Sequence, residues 1–209
     1  MSSIRYVHRL LRRRPASTTA AVFCVLAVLN PGHIEPQTFD LVTQGRQALN
    51  ADKVDEAIAI FEKAVAAEPT NPAALAWLGS AQVRKARTAP LFEAPGWVKK
   101  GFNTLDEAVE RFPDVFIVYL VRGISATQVA EMFRKIPVAV KHLSAVVLMK
   151  EKSPAAVPDA VMPTAYLHLG VAYKKNGQPT DARAAWEKGK TLYPSAPEAQ
   201  AMNKELQNL

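Results

Sequence analysis

From Phe39 onward, apolar residues recur at spacings of three and four, which places them on one face of a helix. The pattern is clearest near the end of the chain. Tyr166, Leu169, Gly170 and Tyr173 share one face, Ala182, Trp186 and Gly189 share the next, and Pro194 closes the unit. An earlier copy shows its second half plainly as Ala57, Phe61, Ala64 and Pro69, preceded by Leu41 and Gly45. Two weaker copies lie between. One runs from Leu75, Leu78 and Gly79 to Gly101, Leu105, Ala108 and Pro113; the other has Tyr119 and Gly123, then Ala139, Leu143 and Val146. Turn-forming residues, Asn50-Ala51-Asp52 and Asn176-Gly177, separate paired helices. Prolines stop the second helix of a pair because they cannot donate the next helical hydrogen bond. The spacing therefore predicts serial helical hairpins between about residues 38 and 196 and a last helix from Pro197, with Ala199, Met202 and Leu206 on one face.

These residues resemble the tetratricopeptide-repeat (TPR) signature, with its glycine on the first helix and its small, large, small and proline positions on the second. The resemblance implies an all-α, right-handed α-solenoid of about four TPR-like hairpins plus a C-terminal cap helix; the N-terminal signal or anchor helix expected before it is read from charge and hydropathy instead. The physics agrees. Gly45, Gly79, Gly123 and Gly170 let paired backbones approach, and Phe61, Leu105, Leu143 and Trp186 fill the space between hairpins. One hairpin cannot bury its own apolar face, whereas stacked hairpins share a continuous core.

The resemblance also implies a function: binding another protein along the row of first helices. The matching positions here are Phe39, Val42, Arg46 and Leu49, then Ala76, Ser80, Val83 and Arg84, then Leu120 and Ile124, and finally Leu167, Val171 and Lys174. Such a surface, apolar in the middle, suits an amphipathic helix or an apolar peptide. It does not match the two-lysine, two-asparagine carboxylate clamp of chaperone-binding TPR proteins. Two departures from the repeat stand out. The second hairpin is stretched through Thr88–Trp97, and the third is extended around Glu131–Pro137. Both extensions join a first helix to a second, so both are expected at the same edge of the stack. Their aromatics, Phe92, Trp97 and Phe133, either anchor a partner or fold back over the base of the loop.

Charge changes the picture at one end only. The net charge is +7, but residues 1–34 hold Arg5, Arg9, Arg12, Arg13 and Arg14 and no acid. Without those five, 21 of the 26 basic residues face 19 acidic ones, Glu35 included, so residues 36–209 form a nearly neutral domain with no footprint for nucleic acid. The arginines are followed by the apolar run Ser17–Leu29 and by Asn30-Pro31-Gly32. Basic, apolar and helix-breaking parts in that order make residues 1–35 an export signal or an uncleaved anchor. Val25-Leu26-Ala27 offers a weak cleavage site. The domain is then expected in the periplasm, or outside the cytoplasm on an inner-membrane anchor, as in an exported bacterial protein; membrane contact comes through this segment alone. Organellar import is the lesser alternative, since an acid-free, arginine-containing leader also suits a presequence.

No catalytic, metal or cofactor constellation emerges. The one cysteine, Cys24, lies in the apolar run, so no disulfide or metal framework can be built. His8, His33, His142 and His168 lack ligand spacing. Asp55-Glu56 and Asp106-Glu107 fall in first turns of helices, where carboxylates complement the helix N-terminus. The expectation is a non-catalytic adaptor or scaffold without a cofactor; self-association into a structural assembly and small-ligand carriage are the alternatives.

Overall fold

The computed structural model of the chain describes residues 36–129 and 131–209. The expectations for the leader lie outside the described residues. Nine α-helices follow one another among those described: α1 (Pro36–Asn50), α2 (Val54–Ala67), α3 (Pro72–Lys85), α4 (Ala94–Arg111), α5 (Phe116–Gln128), α6 (Ile136–Lys152), α7 (Met162–Lys175), α8 (Pro179–Leu192) and α9 (Pro197–Gln207). No strand occurs among the described residues. The helices pair in order, α1 with α2, α3 with α4, α5 with α6 and α7 with α8. Each second helix also packs on the next first helix, and consecutive first helices touch along the stack. Helix α9 covers the end of α7 and α8. This is the predicted solenoid of four hairpins and a cap.

Sequence dictates where each hairpin folds back. Asp52 (φ 58°) and Gly177 (φ 76°) take the left-handed conformation at the first and last turns, which asparagine, aspartate and glycine tolerate best. At the far end of the second helices one closing bond recurs. The amides of Glu68, Phe112 and Tyr193 donate to the carbonyls of Ala64, Ala108 and Gly189, and Pro69, Pro113 and Pro194 follow directly. Between α3 and α4 the two backbones themselves come close. A methyl on Gly79 would stand 2.7 Å from Leu105 Cγ, and one on Gly101 would stand 2.7 Å from the Gly79 carbonyl.

The core follows the repeat. Phe61, Leu105, Leu143 and Trp186 are all fully buried, as are Ala57, Ala108, Ala139 and Ala182. The largest apolar cluster runs from Leu75 to Met202, and two smaller ones hold the first hairpin against α3.

The extension of the second hairpin differs from its sequence reading. Residues 94–97 are not loop: Pro95 sits in the first turn of α4, where its missing N–H is no loss. The irregular connection therefore spans residues 86–93. In the third hairpin a short 3₁₀ turn, Glu131–Phe133, precedes α6.

Candidate functional site

The first-helix positions separate into two groups. Val42, Leu49, Ala76, Ser80, Val83 and Leu120 are buried. Their burial follows from contact between consecutive first helices, and the Ser125 hydroxyl donates to Ser80 Oγ across that junction at 3.1 Å. Ile124, Leu167, Val171, Arg84 and Lys174 are half-buried, and Phe39 and Arg46 are exposed. The guanidinium of Arg46 lies 5.1 Å from the ring centre of Trp77. Lys174 donates to Glu205 Oε2 at 3.0 Å and to the Asn208 carbonyl at 3.1 Å, which ties α7 to the cap helix. Arg84 reaches Asp52 Oδ1 at 3.2 Å.

A second feature lies where the two extensions meet. The connection before α4 and the turn before α6 enclose a cleft of about 520 Å³, lined by Val83, Ala86, Leu91, Ala94, Pro95, Val98, Val129, Met132 and Phe133, with Arg84, Arg87 and Gln128. Thus both extensions do emerge on one edge. Leu91 is 90 % exposed, Phe92 83 % and Met132 81 %. Trp97 and Phe133 are half-buried and lie against the adjoining cores. The aromatics therefore divide: Trp97 and Phe133 fold back, and Phe92 stays in water. The sequence pointed to the two segments and their aromatics. It did not single out Leu91, Met132 or Val129, which become one surface only when α3 and α5 stand side by side.

Buried polar groups elsewhere serve packing. His142 sits on α6 beneath the Tyr119 ring, 5.2 Å between centres. Its Nε2 accepts from Arg122 Nη1 at 3.2 Å, so the imidazole is held neutral. Burial first, then the positive charges of Arg122 and Lys141, push its pKa down to about 4, against a smaller upward pull from Asp106. Burial also lowers the pKa of His168, beside Thr127 Oγ1 at 3.4 Å. Among the described residues no group of three or more His, Cys, Asp or Glu side chains could hold a metal ion.

Models of the tetratricopeptide repeat match residues 42–89 and 164–196, the first and last parts of the stack. With the serial hairpins between them, those matches decide the family. The chain is a tetratricopeptide-repeat protein. Solved structures share the fold at low sequence identity. A thermophilic TPR protein of Thermus thermophilus is 17 % identical, with a TM-score of 0.50 over 82 % of this chain and all of its own. Nearly identical TPR-like repeats from Podosopora anserina are 19 % identical, with a TM-score of 0.51 over 81 % of this chain and 83 % of theirs. A MamA mutant is 21 % identical, with a TM-score of 0.50 over 79 % and 83 %. Among curated proteins no sequence matches. The TPR fold supports protein–protein interaction in general, and proteins of this fold are typically not enzymes.

Proposed function

We propose that this TPR protein is a non-catalytic adaptor, exported or anchored in the inner membrane, which holds a protein partner by an apolar segment. One observation carries the choice of surface. Two of the largest exposed apolar side chains, Leu91 and Met132, meet at one cleft formed by the two departures from the repeat. Large apolar groups kept in water at a concave patch mark interaction surfaces. The first helices contribute less free surface, because half of their candidate positions are taken up in packing against each other. Export rests on the order of charge, apolar run and helix breaker in residues 1–35.

Two measurements test the reading. The tagged full chain and its Leu91→Ser/Met132→Ser variant are used to capture partners from solubilised envelopes. A reproducible partner held by the parent and lost by the variant is expected. Absence of any reproducible partner would remove the adaptor, and equal capture by both chains would move the contact away from the cleft. Separately, the N-terminal residue of the natively expressed protein is determined together with its fraction. An intact leader on protein found in the cytosol would overturn export.

A further inference from the structure

We infer that the segment received by this cleft is an amphipathic helix of a protein partner, with carboxylates flanking its apolar face. The inference rests on the adaptor reading and adds the chemistry of the occupant. The floor is apolar, with Val83, Val98, Val129 and Phe133. The charged residues in the lining are Arg84 and Arg87, and no carboxylate stands among them. Arg84 is tied to Asp52, yet its Nε is buried and meets no acceptor among the described residues. Arg87 is exposed and makes no ion pair among them. The adjoining stretches add Lys99, Arg134 and Lys135 against Glu93 and Glu131. Basic side chains thus outnumber acidic ones around an apolar floor, and complementary charge governs which partner is steered there.

A small apolar ligand fits less well. Leu91 and Met132 stand almost wholly in water, whereas small-molecule sites enclose most of their ligand. A helix laid across the opening, with apolar residues at i, i+3, i+4 and i+7, covers both side chains and places flanking carboxylates beside the arginines.

The test uses two synthetic helical peptides of about 18 residues, long enough to cross the opening. They share one leucine stripe and carry glutamate or lysine flanks, and they are titrated into the full chain by fluorescence anisotropy. The glutamate peptide is expected to bind about tenfold tighter at low ionic strength, narrowing to about twofold near 0.5 M salt as the rim charges are screened. Met132→Ser weakens both peptides, and Arg87→Glu removes the advantage of the glutamate peptide. Equal binding of the two peptides, still sensitive to Met132→Ser, overturns the charge assignment and leaves the adaptor reading intact. Binding of neither peptide, or binding untouched by Met132→Ser, overturns the cleft as a helix-docking surface. Saturable binding of decanoate there, without either peptide, assigns it to a small anionic amphiphile instead. Self-association abolished by Met132→Ser, measured by light scattering, assigns it to a second copy of the chain.

Discussion

Trp186 shows how one side chain serves a whole hairpin. Its ring lies over Gly170, where any Cβ would collide with the indole, and its Nε1 donates to the Leu167 carbonyl at 3.0 Å. A fully buried aromatic thus brings no unsatisfied donor into the core. His142 is the opposite case. It accepts from Arg122, but its Nδ1 is buried without a partner among the described residues. The folded protein resists protonating it until about pH 4, whereas the unfolded chain takes up that proton near pH 6.5. Stability is therefore complete above about pH 6.5 and falls as pH drops toward 4, by up to about 3 kcal/mol. His168, also lowered by burial, acts in the same direction. Urea unfolding at pH 7 and pH 4.5 measures the loss, which is expected to be smaller in His142→Gln. An imidazole signal titrating near its ordinary value in NMR would contradict the assignment.

Helix α3 has the best-defined start in the stack. Asn71 Oδ1 accepts from the amides of Ala73 and Ala74, both at 3.0 Å, and Pro72 supplies a preset φ at the first helical position. Asn71→Ala is expected to cost about 1 kcal/mol in denaturant unfolding. Lys53, before α2, makes no side-chain cap, and its alanine variant is expected to stay within about 0.5 kcal/mol of the parent. A loss at Asn71 no larger than that at Lys53 would show the cap to be dispensable. Elements also carry the departures from the repeat. Helix α4 is long because it begins at Ala94, so its added turn brings Trp97 onto the first hairpin's core, with the Lys100 ammonium 5.2 Å from the ring centre.

Across the described stack, stability is spread unevenly. The first hairpin packs through two small clusters, and the others share the large one that ends at the cap helix. The ion pairs joining α3 to the first turn, Arg84–Asp52 and Lys85–Asp55, place their carboxylates in water and therefore add little. In a linear stack each unit is held only by its neighbours. Amides of α1 and α2 are accordingly expected to exchange sooner than those of α5 and α7 in native-state hydrogen exchange. Uniform protection from α1 to α8 would instead mark one cooperative unit.

Local signals wrote most of the fold into the chain. Period, small residues and prolines located the hairpins, and Asp52 and Gly177 turned where short-range preference placed them, since those choices depend on neighbours within a few residues. Which first-helix side chains stay accessible was not readable in this way. The repeat pattern puts Leu49, Ala76 and Leu120 on the partner-binding face, but packing against neighbouring repeats buries them. Likewise Leu91 and Met132 are far apart along the chain, and no pattern near either one reports the other. Packing of α3 beside α5 brings them to one cleft, because the apolar faces of successive hairpins must close on each other and carry both extensions to the same edge.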